Sequence, residues 1–77
     1  MMKLPLLSAK ELIAILEKPG FSEARQKGSH KYFKHPDGRA TVVPVHGGRD
    51  IGRGLLRKIM GELGIKREEF LELHRNK

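Results

Sequence analysis

The chain has 77 residues, a formal net charge of +7 and no cysteine. That length predicts one domain over residues 1–77, near the lower limit at which a single apolar core holds a fold. Without cysteine there is neither a disulfide framework nor a thiolate metal site, and the expected compartment is a reducing one, the cytoplasm. Met1-Met2-Lys3-Leu4-Pro5-Leu6-Leu7 is too short and too interrupted by Pro5 to serve as a signal-peptide core. No apolar run approaches membrane-spanning length, so no membrane association is expected.

The charge is unevenly placed. Residues 1–23 balance Lys3, Lys10 and Lys18 against Glu11, Glu17 and Glu23, and residues 62–77 are balanced as well. The excess sits in residues 24–61, where Arg25, Lys27, Lys31, Lys34, Arg39, Arg49, Arg53, Arg57 and Lys58 face only Asp37 and Asp50. A polyanion is the partner that such a segment fits.

In chain order, Ser8-Ala9-Lys10-Glu11 reads as a capping box, in which a hydroxyl and a carboxylate satisfy each other's orphan backbone donors. Ala9, Leu12, Ile13, Ile15 and Leu16 then form a helical stripe that Pro19-Gly20 stops. Phe21 to Lys27 reads as a strand, Gly28-Ser29 as a turn, and His30 to His35 as a second strand. Pro36-Asp37-Gly38 is a hairpin turn into a third strand, Ala40 to Val45, where Pro44 has to lie at a sheet edge or a strand end because it cannot donate to a ladder. His46-Gly47-Gly48-Arg49 reads as a loop. Leu55, Leu56, Ile59, Met60 and Leu63 define a second helix closed by Gly64, and Ile65 to Leu73 a short third one that docks Phe70 and Leu73. The order predicts an α+β fold, a helix followed by a three-stranded antiparallel sheet and two further helices, with the helices on one face.

Of the four histidines, His74 and His35 read as ordinary polar side chains, in a charged tail and at a strand end. His30 stands apart because of its neighbours. Gly28 allows close backbone approach, Ser29 offers a hydroxyl, and Lys27 and Lys31 place cations on either side. An imidazole so placed suits proton transfer at a phosphate, with cations stabilising the developing charge. His46 is a candidate second acid-base group or phosphate contact. Arg53, Arg57 and Lys58 begin the second helix beside Gly52 and Gly54, where the helix dipole and free N–H groups already favour an anion. His30, His35 and His46 show no ligand spacing, so neither a metal nor a cofactor is expected.

Three segments, in this order and at this spacing, resemble the HicA toxins. They are Gly20-Phe21 followed by Arg25-Gln26-Lys27-Gly28-Ser29-His30; Val43-Pro44-Val45-His46; and Gly54-Leu55-Leu56-Arg57-Lys58-Ile59 running to Leu63-Gly64-Ile65. The similarity extends from Ser8 to about Phe70. The resemblance implies a double-stranded-RNA-binding-domain-like fold and the toxin component of a type II toxin–antitoxin system. It also implies metal-independent cleavage of messenger RNA and neutralisation by a HicB-type antitoxin that covers the active site. It makes His30, the histidine of the Gly-Ser-His segment, the catalytic residue. The residues themselves suit a reaction in which His30 acts as general base or acid while the RNA 2′-OH attacks the adjacent phosphate, with Lys27, Lys31 and Arg53 or Arg57 stabilising the developing charge. The chain departs from the family after His46, where Arg49-Asp50-Ile51-Gly52-Arg53-Gly54-Leu55 replaces a Lys-rich approach and a Thr after the glycine. Two rival readings use the same basic residues: a non-catalytic module that reads A-form RNA through phosphate and 2′-OH contacts, and a subunit whose basic face docks an acidic protein.

Overall fold

The computed structural model of the chain describes Leu4, residues 6–45 and residues 50–75. Strand β1 (Leu7–Ser8) leads directly into helix α1 (Ala9–Glu17). The capping box is formed as the sequence predicts: the Glu11 N–H donates to Ser8 Oγ at 3.1 Å and the Ser8 N–H to Glu11 Oε1 at 3.0 Å. Ala9, Leu12, Ile15 and Leu16 turn inward along one side of the helix. At its end the Phe21 N–H donates to the Leu16 carbonyl, which returns the chain onto the core with Phe21 buried.

Strands β2 (Ser22–Lys27), β3 (His30–Lys34) and β4 (Ala40–Pro44) form an antiparallel sheet in that order. Phe33, Thr41 and Val43 are buried, so they mark the helix-packed face, and alternation puts His30, Tyr32, Lys34, Ala40, Val42 and Pro44 on the open face. Pro44 ends β4, which is an edge strand, so both expectations for it hold together.

A bulge interrupts β2. Glu23 pairs with Phe33 while Arg25 pairs with Tyr32, leaving Ala24 as the extra residue. Strict alternation back from Lys27 and Arg25 would set Glu23 on the open face. The extra residue turns it to the helix-packed face, where its Oε1 lies 3.5 Å from Lys31 Nζ.

Strand β5 (Asp50–Ile51) pairs antiparallel with β1, Leu7 opposite Ile51 and Ser8 opposite Asp50. This ladder sets the start of α1 beside the start of helix α2 (Arg53–Leu63). Leu56, Ile59, Met60 and Leu63 are the buried stripe of α2, which packs along β4 and ends on Gly64 with φ +68°. Helix α3 (Arg67–Arg75) follows and buries Phe70 completely in the same core. Its frame is further tied by Lys18 Nζ, which donates to the Leu73 carbonyl at 2.8 Å. The architecture is α+β, with the helices on one face of the three-stranded sheet.

A polar latch joins the ends of α1, β3 and α2. His35 Nε2 lies 3.0 Å from the Pro19 carbonyl, an acceptor only, so that nitrogen carries its proton. Its Nδ1 receives the Asp37 N–H, and its ring packs on Phe21 at 5.0 Å between centroids. Gly20, at φ +113°, is needed beside it, since an added Cβ would lie 3.2 Å from His35 Nε2. Arg39 closes the latch, with Nε on Asp37 Oδ2 at 2.8 Å and Nη1 on the Leu63 carbonyl at 2.6 Å.

The Asp37 carboxyl is held below its ordinary pKa, first by the Arg39 backbone N–H, against an opposing desolvation, with the Arg39 guanidinium and His35 adding to the lowering. A carboxyl whose folded pKa is depressed stabilises the fold fully above its unfolded pKa, and that contribution is lost as pH falls through the folded value. Asp37→Asn is therefore expected to lower Tm at neutral pH and to flatten the loss of stability in acid. A variant whose acid unfolding curve superimposes on the native one would contradict this.

Candidate functional site

The β2–β3 hairpin is built around Gly28-Ser29. Gly28 takes φ +60° and no other residue of the turn has a positive φ, the pattern of a type II′ turn with glycine first. A Cβ at Gly28 would meet nothing within 4 Å, so the requirement is conformational and the turn backbone stands in open space. The Gly28 carbonyl accepts from Gln26 Nε2 at 3.1 Å, and the Ser29 carbonyl from the Val45 N–H at 2.6 Å.

This turn sets Lys27 directly opposite His30, with both side chains exposed on the open face. Among the described residues the His30 imidazole makes no hydrogen bond or ion pair. Along the same face follow Arg25 opposite Tyr32, the Arg25 guanidinium lying 4.6 Å above the ring centroid, and then Ser22 opposite Lys34. By strand alternation the open face carries Arg25, Lys27 and Lys34 and no carboxylate among its described strand residues. An exposed imidazole on such a surface can exchange a proton with a bound anion that the cations hold.

The expected neighbours of His30 are only partly brought together. Lys27 and His30 share a face, as expected, with the exposed Gly28 turn beside them. Lys31 does not join them: it pairs with Val43 on the helix-packed side and its ammonium faces Glu23. The sequence placed cations on both sides of His30 by adjacency, but adjacent strand residues point to opposite faces.

Arg53, Arg57 and Lys58 are exposed at the start of α2, whose Gly52 N-cap has no side-chain bond. Arg53 is also structural, since its Nε donates to the Leu4 carbonyl at 2.7 Å. Thr41, near the start of β4, donates to Glu62 near the end of α2 at 2.8 Å. The helix packs along β4 from there, so its N-terminal cations lie toward the Pro44 end of the strand, and Pro44 is the register partner of His30. These cations thus flank the His30 end of the sheet from the helix side. His46 and its loop through Arg49 lie outside the described residues.

Sequence reasoning counts Arg25 and Lys34 only within the basic middle of the chain, gives neither a place beside His30, and gives Tyr32 no role. Counting i, i+2 and i+4 from His30 along one strand was the available signal for Tyr32 and Lys34. A two-residue turn gives Arg25 by reflection. No helix among the described residues is long and apolar enough to cross a membrane, and none of their His, Asp or Glu side chains cluster in threes that could hold a metal ion.

The family model described as "HicA toxin of bacterial toxin-antitoxin" matches residues 9–65, well over half of the chain. The chain belongs to the HicA toxin family. The match runs from the first residue of α1 to Ile65, so it takes in the whole three-stranded sheet and α2 and leaves α3 outside. A "Probable mRNA interferase HicA" from Pseudomonas fluorescens (strain Pf0-1) is 46% identical over 41 residues, which cover 52% of this chain and 65% of that relative. The chain thus spans just under two thirds of the length of this HicA relative.

Proposed function

We propose that this HicA-family chain is the toxin of a toxin–antitoxin pair and an endoribonuclease that cleaves messenger RNA, with His30 as a catalytic proton-transfer group. The observation that carries the reading is an exposed histidine, opposite Lys27, on a basic and carboxylate-free sheet face. In the reaction the RNA 2′-OH gives its proton to His30 as its oxygen bonds to the adjacent phosphorus, and the bond from phosphorus to the 5′-oxygen breaks. The products are a 2′,3′-cyclic phosphate and a 5′-hydroxyl, whose proton comes from a second group, His46 or water. Lys27 and Arg25 lie on the face where negative charge grows; Arg53, Arg57 and Lys58 hold flanking phosphates. The name of the relative supports the substrate class, and the family's description supports the toxin role. The partner proposed with it is a HicB-type antitoxin covering the His30 face.

The test uses the purified chain and an end-labelled messenger RNA fragment. Cleavage is expected to leave cyclic phosphate ends and to fail where the scissile 2′-oxygen is methylated, with RNA affinity falling steeply as salt rises. RNA that is bound in this salt-dependent way but never cut would instead identify a non-catalytic RNA-binding module. Affinity that does not change with salt would count against any nucleic-acid role.

A further inference from the structure

Tyr32 is used by neither the core nor the proposed reaction, yet its position is closely specified. It sits two residues from His30 on the same face of β3, about 7 Å along the strand. Half-buried between neighbouring strands, its ring is flanked on the β2 side by the Arg25 guanidinium at 4.6 Å. On the β4 side its register partner is Val42, next to which Ala40 faces Lys34. These short side chains leave a hollow of about 500 Å³, lined by Arg25, Tyr32, Lys34, Ala40 and Val42 and, from α2, by Glu62, whose carboxylate accepts from Thr41. Small-ligand sites run to roughly 300–1,000 Å³, so the volume admits a flat heterocycle.

We propose that this hollow is a base-stacking subsite, which receives the unpaired nucleobase next to the phosphate held at His30. The inference rests on the ribonuclease reading above and adds which form of RNA the site takes. The charge and shape of the face select the occupant. An aromatic ring backed by a guanidinium offers a stacking surface that any base can use, and Lys34 stands at its rim for the adjoining phosphate. The bulge at Ala24 removes Glu23, the one acid of β2, from this face, so the only carboxylate lining the hollow is Glu62, which is bonded to Thr41, and the Arg25 and Lys34 cations outnumber it. A base inside a duplex cannot enter the hollow, because its faces are covered by its neighbours. The site therefore favours single-stranded segments, loops and ends.

The distance from Tyr32 to His30 is about one nucleotide's reach, so stacking at one point sets the register of the phosphate at the other. Tyr32 is thus a positioning residue.

The chain contains one tyrosine and no tryptophan, so its intrinsic emission reports on Tyr32 alone. The native chain would be titrated with a short single-stranded RNA, 2′-O-methylated throughout so that it is not cut. A chain of equal charge with abasic nucleotides and an oligoglutamate peptide serve as controls, with affinity read separately by anisotropy of labelled RNA. The base-bearing RNA is expected to quench the emission, and the abasic chain and the peptide to leave it unchanged.

Tyr32→Leu is expected to weaken the base-bearing RNA about 5- to 150-fold, the range found when a base loses its aromatic partner, while Tyr32→Phe binds within about threefold of native. With unmodified RNA the Leu variant raises KM and also lowers kcat, because the phosphate is no longer held in register, and Tyr32→Phe restores both. Equal quenching by the abasic chain or by oligoglutamate overturns the proposal, the latter in favour of an acidic-protein surface. A folded Tyr32→Leu protein that binds like the native one overturns it too. RNA that is bound and cut without quenching sinks the subsite and spares the ribonuclease reading, whereas RNA that is neither bound nor cut removes both.

Discussion

Phe70→Ala is expected to lower the stability of the chain by about 3–5 kcal/mol, the range for truncating a fully buried phenylalanine. The side chain is completely shielded and is the one fully buried residue of α3, while Ile65 before the helix and Leu73 within it lie in or against the same core. Helix α3 follows the segment that matches the HicA family model, yet its anchor packs with Leu12, Leu56 and Leu63 in one cluster. Domains of this size have on the order of 5–15 kcal/mol in hand, so the loss is a large fraction of the whole. Chemical denaturation compares the variant with Glu69→Ala, an exposed position on the same helix, where a change within about 0.5 kcal/mol is expected. A Phe70→Ala midpoint indistinguishable from that control would show that α3 is not part of the core.

What could be read from the sequence was local. The Ser8–Glu11 box, the break at Pro19-Gly20, the Asp37-Gly38 turn and the Gly64 stop each act within a few residues, and all four lie where expected. The α+β order followed from them. Long-range features were not legible. The β1–β5 ladder is two residues long and joins positions more than forty apart, with no alternation to announce it. His35 read as an ordinary strand-end residue, but its bond to Pro19 and the reach of Arg39 to Leu63 depend on how the ends of three elements meet.

The site was legible in the same measure. Gly28-Ser29-His30 stood out because the turn is local, and Lys27 follows from a two-residue hairpin. The placement of Lys31 failed because adjacency in sequence is opposition on a sheet. Ala24 gives no sign that it is a bulge, so the displacement of Glu23, and with it the clean basic face carrying Arg25 and Tyr32, emerged only from the register.

His30→Ala is expected to lower the rate of RNA cleavage by about a hundred- to ten-thousand-fold, the usual cost of losing a positioned acid or base. RNA affinity should stay within a few-fold, because Arg25, Lys27 and Lys34 remain on the face and Arg57 and Lys58 at the start of α2. Stability should also hold, since the imidazole is exposed and has no bond to another described residue whose loss would be felt. Binding and chemistry then separate in one variant. The decisive measurement is single-turnover cleavage of a labelled messenger RNA by the native chain and by His30→Ala, with RNA affinity and melting temperature measured on the same preparations. The expected result is a folded variant that binds RNA like the native protein and hardly cuts it. A folded His30→Ala protein that cuts at the native rate would contradict the assignment.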